Sequence, residues 1–231
     1  MKTFKIRASE AGTIMASPKK KEIPTGALTY LRKWYIEEKY GRRAPVLSDQ
    51  MQKGIRCEEE SISLLQEFEG HKTRYLKNET NLRNSWATGT PDLLTDSEVL
   101  DIKTAWTIDT FWNAEGVYTK SGMLTGYGWQ LMVYMWLTGK KSARLVYTLV
   151  NTPMDIVIGL TSSARYKFVG MDENPEYDRY CTQIEKMHNF DDIPTAEKIR
   201  TWELEYSEEH IEQLKNRVEL MQEAAKNYEL K

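Results

Sequence analysis

Two acidic segments that lie close together in the chain constrain its fold more than any other feature. Asp92 follows a proline within the turn-like residues 89–94, and a strand-like segment nine residues further on contains Asp101, Ile102 and Lys103. Successive side chains on a strand point to opposite faces, so Asp101 and Lys103 share one face while Ile102 points into the core. The pattern therefore predicts a turn and a strand that bring two carboxylates and one ammonium group together.

This combination of charged groups indicates a particular chemistry. Two carboxylates that converge on one point bind a divalent cation, and such a cation activates a water molecule as a nucleophile. With an ammonium group to offset the charge of a phosphate, the site is suited to cutting a phosphodiester. The alternative interpretation of so short a motif is an exposed Asp–Lys pair on an ordinary β-hairpin, where such pairs are frequent and weak.

Pro91-Asp92 and Asp101-Ile102-Lys103 resemble the two halves of the motif of the PD-(D/E)XK nuclease superfamily. Three further blocks occur in the order expected for one branch of that superfamily, namely residues 6–9, 54–65 and 127–139. With these blocks, roughly residues 1–150 resemble the lambda-exonuclease-like (YqaJ viral recombinase) family. The resemblance implies an α/β (α+β) fold with a PD-(D/E)XK nuclease core, in which helices flank a central mixed β-sheet, followed by a helical C-terminal extension.

The same resemblance implies an organisation and an activity. We expect one exonuclease domain over residues 1–231, with a catalytic core of about 1–150 and a strand and helix extension of about 151–231. The implied activity degrades one strand of linear double-stranded DNA, 5′ to 3′, and leaves single-stranded DNA for phage-type homologous recombination. The alternatives are a restriction or repair endonuclease of the same superfamily and a non-catalytic DNA-binding module. The complete set of Asp92, Asp101 and Lys103 speaks against the last.

The resemblance also assigns roles to individual residues. The implied catalytic residues are Asp92, Asp101, Lys103, Glu58 and Gln130. Mg²⁺ is the implied cofactor, with two ions in each active site and Mn²⁺ able to substitute. The expected ligands are the side chains of Asp92, Asp101 and Glu58 together with the backbone carbonyl of Ile102. A buried glutamine that satisfies a backbone group is the alternative interpretation of Gln130.

Glu58 is chosen from three consecutive glutamates by helical periodicity as well as by resemblance. Residues 49–69 predict one helix, in which Ile55, Ile62 and Leu65 form an apolar stripe. Glu58 falls nearest to the centre of that stripe, whereas Glu60 falls on the opposite side. An inward-facing glutamate needs a metal or a hydrogen-bond network, because an unpaired buried charge is costly.

A second group of residues is expected to contact DNA. The resemblance places small hydroxyl residues near the DNA phosphates at Ser9 and Thr90, and Arg7 precedes Ser9 closely in the chain. Gapless alignment puts Lys2 where relatives have an arginine that binds the 5′-phosphate, and a basic position of the relatives falls near Asp109. These two departures affect the recognition of DNA ends more than the metal chemistry.

Composition fits this interpretation and excludes others. Residues 1–56 carry 13 Lys and Arg against 5 Asp and Glu, which leaves 19 against 29 in the remainder and concentrates positive charge near the N-terminus. The cysteines Cys57 and Cys181 are too few for a disulfide framework, and the three histidines form no metal-binding pattern. The sequence shows no membrane-spanning segment, and the resemblance implies a cytoplasmic phage or prophage protein in a bacterial host. A homotrimeric ring on double-stranded DNA ends and a single-strand annealing protein are the implied partners.

Periodicity and turn residues predict the other elements. We expect Ser9 to cap a short first helix and Thr152 to cap a later one, with a hairpin around 156–160 as the alternative to the latter. A helix is expected over residues 107–117. The remaining predicted helices are 27–39, 127–138, 153–166, 175–189 and 208–229, and the strands lie within 74–106, 144–150 and 198–206.

Overall fold

The computed structural model describes residues 2–16, 22–43, 45, 48–168 and 174–228. In these residues the helices are α1 (Ala11–Ile14), α2 (Thr25–Tyr40), α3 (Asp49–Arg56), α4 (Glu58–Phe68), α5 (Ile108–Trp112), α6 (Gly126–Thr138), α7 (Met154–Ala164), α8 (Pro175–His188) and α9 (Glu208–Lys226). The strands are β1 (Ile6–Arg7), β2 (Leu82–Arg83), β3 (Ala87–Gly89), β4 (Leu93–Leu94), β5 (Glu98–Thr104), β6 (Ser142–Thr148) and β7 (Ile199–Glu205).

The strands form two mixed sheets rather than one. The smaller sheet has the order β1-β3-β2, with β1 parallel and β2 antiparallel to β3. The larger sheet has the order β4-β5-β6-β7, in which only the central pair, β5 and β6, is parallel. Helices pack on this sheet, so the predicted α/β fold with a mixed sheet is confirmed.

The two faces of β5 contact different helices. Val99 packs in the cluster that contains α6, whereas Leu100 and Ile102 pack with Ile62 and Leu65 of α4 on the other side. This alternation is what a strand buried on both faces requires. It places Asp101 and Lys103 on the face that α6 covers.

α6 is the central helix of the molecule. Its N-cap is Thr125, whose side chain accepts a hydrogen bond from the Gly128 amide at 3.2 Å, and it ends at Gly139 in the left-handed conformation. Most of its residues are buried, because α1 and α9 contact it in addition to the sheet. Gln130 is therefore a polar side chain inside an otherwise apolar environment.

The segment from 49 to 69 is not the single straight helix that periodicity predicts. α3 ends at Arg56 and α4 begins at Glu58, with a turn at Cys57 where ψ is 9°. The turn rotates α3 relative to α4, so Ile55 leaves the predicted apolar stripe and is 63% exposed. The buried apolar residues of α4 are Ile62 and Leu65.

Three smaller local predictions are also wrong. Ser9 lies inside a 3-10 turn at Ala8–Glu10 and caps no helix, because the chain is already helical there. Thr152 does not cap α7, since its hydroxyl is bonded to His188 Nδ1 at 2.8 Å. Only Ile108–Trp112 of the predicted helix within 107–117 is helical.

The C-terminal third of the chain is integrated with the core. β7 pairs along its whole length with β6 and forms an edge of the larger sheet. The predicted last helix is present as α9, and it packs in the same cluster as α6 through an apolar stripe of Ile211, Leu214, Val218, Met221 and Ala225. The helix predicted at 153–166 is confirmed by α7, and the alternative hairpin near 156–160 is wrong. Among the described residues, every helix is too short or too polar to span a lipid bilayer.

Candidate active site

Asp92 is held at the end of β4 by the backbone of β5. β4 pairs with β5 only through Leu93 and Leu94, so the Ile102 amide lies beyond the last strand pair. That amide donates a hydrogen bond to Asp92 Oδ2 at 2.7 Å. The N–H and C=O groups of one strand residue point to the same side. The Ile102 carbonyl therefore faces the same edge, toward Asp92.

Asp101 is the most deeply buried member of the site. Its side chain is 0% exposed, and Oδ1 accepts a hydrogen bond from Gln130 Nε2 at 3.0 Å. Gln130 Nε2 also donates to the Tyr134 hydroxyl at 2.9 Å, so one amide group joins Asp101 to the next turn of α6. Lys103 Nζ lies 2.6 Å from Asp101 Oδ2. That contact is an ion pair without hydrogen-bond alignment, and Oδ2 has no aligned donor among the described residues.

The charges in the site shift the pKa values of its members. Burial, followed by the charge of Asp101, raises the pKa of Asp92 to about 7. Burial acts to lower the pKa of Lys103, but the charges of Asp101 and Asp92 outweigh it and raise that pKa above its usual value. Burial and then the charge of Asp101 also raise the pKa of the Tyr134 hydroxyl. The site therefore holds more negative charge than one lysine neutralises.

These residues fit a hard divalent cation. The Asp101 Oδ2 atom without an aligned donor, the second carboxylate of Asp92 and the Ile102 carbonyl are oxygen ligands of the kind that Mg²⁺ prefers. The raised pKa of Asp92 indicates that the site lacks positive charge. A cation bound between the two carboxylates would supply it.

Glu58, the predicted third acidic ligand, is engaged elsewhere. Its carboxylate pairs with Lys77 Nζ at 2.9 Å, and it lies at the start of α4, which packs on the opposite face of β5 from Asp101. Within the described part of the chain, no three acidic, histidine or cysteine side chains converge as a metal ion requires. Lys77 connects the two regions, because the charges of Glu58 and Asp92 both raise the pKa of its ammonium group, after the hydrogen bond to Glu58.

Three of the four predicted DNA-contacting residues line one cavity. The cavity has a volume of about 330 Å³, and its wall includes Arg7, Ser9 and Thr90 together with Tyr134 of α6. Tyr134 connects the cavity to Asp101 through Gln130. A Cβ atom on Gly89 would lie 2.7 Å from the Tyr134 ring and 2.8 Å from Ala8, so only glycine fits in this wall.

Lys2 lies outside that cavity, in a neighbouring one of about 370 Å³ that also contains Arg7. Both basic residues are paired with acidic residues of α2. Arg7 binds both carboxylate oxygens of Glu37, at 2.7 and 2.8 Å, and Lys2 lies 3.4 Å from Glu38. Part of the positive charge predicted for this region is therefore neutralised locally.

Tyr134 and Asn81 belong to this region but were not predicted. Tyr134 stands four residues after Gln130 on the same helix, and this spacing puts both side chains on one face. Asn81 accepts a hydrogen bond from the Thr88 hydroxyl at 3.0 Å and donates to Thr90 at 3.1 Å. The spacing could have identified Tyr134, whereas the position of Asn81 depends on the pairing of β2 with β3.

The larger mixed sheet carries Asp101 and Lys103 on β5, with Asp92 beside them just before β4, and helices pack on it, which defines an α/β protein. The chain is similar in structure to the phage related exonuclease from Haemophilus somnus 129PT, with a TM-score of 0.75 and 21% identity, over 98% of this chain and 95% of that chain. It is also similar to the alkaline exonuclease LHK-Exo from Laribacter hongkongensis, with a TM-score of 0.62 and 14% identity, over 96% and 88% of the two chains.

LHK-Exo in complex with dAMP gives a TM-score of 0.61 at the same identity and coverage. No protein-family model matches the sequence, and no curated protein sequence matches it either. The chain therefore has the fold of these exonucleases, and the predicted resemblance is confirmed at the level of the fold.

Proposed function

We propose that the chain is a metal-dependent exonuclease that degrades one strand of linear double-stranded DNA. The observation that carries this proposal is the cluster of Asp92, Asp101, Lys103 and Gln130 on the α6 side of β5. The shared fold with two exonucleases supports it, as does the complex of LHK-Exo with the nucleotide dAMP.

Each member of the cluster has a defined task in the proposed mechanism. Asp92, Asp101 and the Ile102 carbonyl hold Mg²⁺, or Mn²⁺ in its place, and Glu58 is the further ligand that the resemblance implies. When bound, the metal activates a water molecule and neutralises charge on the phosphate. The Lys103 ammonium group donates a hydrogen bond to the attacking water and offsets the charge that develops on the phosphate. Gln130 keeps the Asp101 carboxylate in position through the 3.0 Å hydrogen bond.

The cavity beside Tyr134 is the proposed site for the end of the DNA. Ser9 and Thr90 offer hydroxyl groups to a 5′-phosphate, and Arg7 offers a guanidinium group once its pairing with Glu37 loosens. Lys2, in the adjoining cavity, contacts the backbone further along. Recognition of a 5′-phosphate beside the metal site gives 5′ to 3′ polarity and leaves single-stranded DNA for phage-type recombination.

An assembly completes the proposal. A nuclease of this size has little surface with which to hold a long duplex, so we propose a homotrimeric ring that encircles the DNA and hands the remaining strand to an annealing protein. An endonuclease of the same superfamily is the competing function, and it differs in cutting DNA that has no ends.

The catalytic cluster is tested by nucleotide release from a linear duplex. Wild-type protein with Mg²⁺ is expected to release nucleotides, and excess chelator is expected to stop the release. Lys103→Ala removes the ammonium group and is expected to lower the rate at least 100-fold, in the range of general acid–base and electrostatic effects. Lys186→Ala, at an exposed position of α8, is the matched control and keeps wild-type activity. Full activity of Lys103→Ala in a cooperatively folded protein contradicts the proposed site.

A further inference from the structure

An aromatic and basic surface continues from Lys103 across the larger sheet. The strand register places Lys103 beside Tyr147 and Tyr147 beside Arg200, on the neighbouring strands β5, β6 and β7. Residues that are paired in register project to the same face of a sheet. Trp202, two residues along β7 from Arg200, shares that face as well. The row thus begins at the catalytic lysine and crosses three strands.

The rings in this row are close to one another. The Tyr127 ring centroid lies 5.4 Å from Lys103 Nζ and 6.5 Å from the Tyr147 ring, and Tyr147 lies 6.4 Å from Trp202. The Arg200 guanidinium lies 4.7 Å from the Trp202 centroid. We name this surface, with Trp112 added at its far end, the aromatic shelf; its members are Tyr127, Tyr147, Trp202, Arg200 and Trp112.

The two ends of the aromatic shelf are open to solvent. Tyr127, next to Lys103, is 37% exposed, and Trp112 is 58% exposed. An exposed aromatic ring buries a large apolar area when a planar group covers it. The aromatic shelf therefore offers stacking surfaces at the catalytic lysine and further from it.

Arg200 gives the aromatic shelf a positive charge. Its Nη1 atom donates hydrogen bonds to the carbonyls of Phe111 and Trp112, at 2.6 and 2.8 Å. These bonds hold the guanidinium group beside Trp112, with Cζ 5.7 Å from the centroid of the Trp112 ring. In the described part of the chain Arg200 forms no ion pair with a carboxylate. Its charge is thus available to a phosphate that approaches the surface.

We infer that the aromatic shelf binds unpaired bases of the DNA strand that adjoins the scissile phosphate. This inference rests on the proposed nuclease function, which puts that phosphate at Lys103. Aromatic side chains next to a positive charge stack with successive bases of single strands, whatever the sequence. Paired bases in a duplex hide their faces from such contacts, so the aromatic shelf selects a strand that has already separated. The continuity with Lys103 and the charge of Arg200 favour nucleic acid over a protein partner.

The test measures strand binding separately from cutting. The fluorescence anisotropy of a labelled short oligothymidylate is followed as the full-length protein is added. Excess chelator is present throughout, so that binding is measured without cutting. Trp112→Ala and Tyr127→Leu are each expected to weaken binding about tenfold, the effect of about 1.4 kcal/mol expected for one stacked base. Trp112→Phe keeps a ring and restores most of the affinity. Tyr166→Ala, at a residue that is 70% exposed elsewhere, serves as the control and binds like the wild type.

The outcomes separate this inference from the proposed function. Loss of strand binding in Trp112→Ala and Tyr127→Leu, with unchanged binding of a blunt duplex of equal length, supports the aromatic shelf even if the wild type cuts no DNA. Wild-type strand binding in both variants overturns it even if the protein is an active nuclease. A change of sedimentation in Trp112→Ala without any change in strand binding also overturns it, because the tryptophan then contacts protein instead of DNA.

Discussion

At the scale of single residues, Asp92 shows how a site suited to a cation destabilises the protein that lacks one. Burial and the charge of Asp101 raise the pKa of Asp92 from 3.8 to about 7. Between these pH values the folded chain binds more protons at Asp92 than the unfolded chain does. The free energy of unfolding therefore decreases, because of Asp92, as the pH rises from about 4 to about 7.

Replacing this carboxylate is expected to stabilise the metal-free protein. Asp92→Asn removes the charge but keeps an oxygen that accepts the Ile102 hydrogen bond. In chelator we expect a gain of about 2 kcal/mol in the free energy of unfolding at neutral pH and almost none near pH 4. Denaturant unfolding at both pH values measures the gain, and Asp96→Asn, at an exposed position, is the control. A loss of stability at neutral pH contradicts the electrostatic account of Asp92.

The role of Glu58 as a metal ligand stays a prediction. It pairs with Lys77, whose charge interacts with Asp92, whereas Glu60 is exposed two residues further along α4. We expect Glu58→Gln to lower nuclease activity at least tenfold and Glu60→Gln to leave it within about twofold. Rates of nucleotide release measure both. Equal effects of the two variants contradict the choice of Glu58 over Glu60 as the acidic residue of the site.

At the scale of elements, β5 and α6 were predictable because each carries its own periodicity. Alternation on β5 predicts that Asp101 and Lys103 share a face, and the structure places both on the α6 side. The contact between Gln130 and Asp101 depends on how α6 lies across the sheet, which local periodicity does not encode. The resemblance identified Gln130, and the packing of α6 on the sheet brings it into contact with Asp101.

The break between α3 and α4 could not be predicted from local periodicity. Lys53 of α3 is completely buried, donates a hydrogen bond to the Trp106 carbonyl at 3.2 Å and lies 5.1 Å from the Phe190 ring. These contacts come from distant parts of the chain and orient α3 independently of α4. Tertiary packing thus overrides the apolar stripe that predicted one helix.

The buried charge of Lys53 gives a stability prediction for α3. Burial lowers the pKa of Lys53 from 10.5 to about 8, although Cys57 and Glu60 act in the opposite direction. The unfolded chain binds more protons at Lys53 between these pH values, so the contribution of Lys53 to stability increases as the pH rises from about 8 to about 10.5.

Lys53→Met replaces the buried charge with an apolar chain of similar length. We expect it to raise the free energy of unfolding by about 1–4 kcal/mol at neutral pH. The gain shrinks above about pH 8, where the wild-type lysine loses its proton. Denaturant unfolding over this pH range measures the difference, with Lys186→Met as the exposed control. A destabilised Lys53→Met protein at neutral pH contradicts this account.

At the scale of the whole molecule, two of the basic side chains near the N-terminus are held in ion pairs. The basic N-terminal part faces α2, whose Glu37 and Glu38 pair with Arg7 and Lys2. A count along the sequence does not reveal such pairs, because they depend on the packing of the N-terminus against a helix. The retention of DNA that we propose for this region therefore has to draw on several weak contacts.

The proposed ring predicts how assembly and binding respond to salt. We expect light scattering to give the mass of a trimer, and we expect the length of strand degraded in each binding event to fall as salt rises, because cations compete for the phosphates. A single-turnover assay with an unlabelled DNA trap measures that length. A fully active monomer contradicts the ring, and degradation that does not respond to salt contradicts electrostatic retention.

The central claim is that the cluster around Asp92, Asp101 and Lys103 removes nucleotides from the ends of duplex DNA. The most direct test is a time course with Mg²⁺ on a linear duplex labelled at each end of each strand, with the closed-circular form of the same DNA alongside. We predict early release of the label from 5′-phosphorylated ends, later loss of the 3′ label, and an intact circle. Cutting of the circle at the same rate as the linear duplex, or release that starts from 3′ ends, would contradict the account.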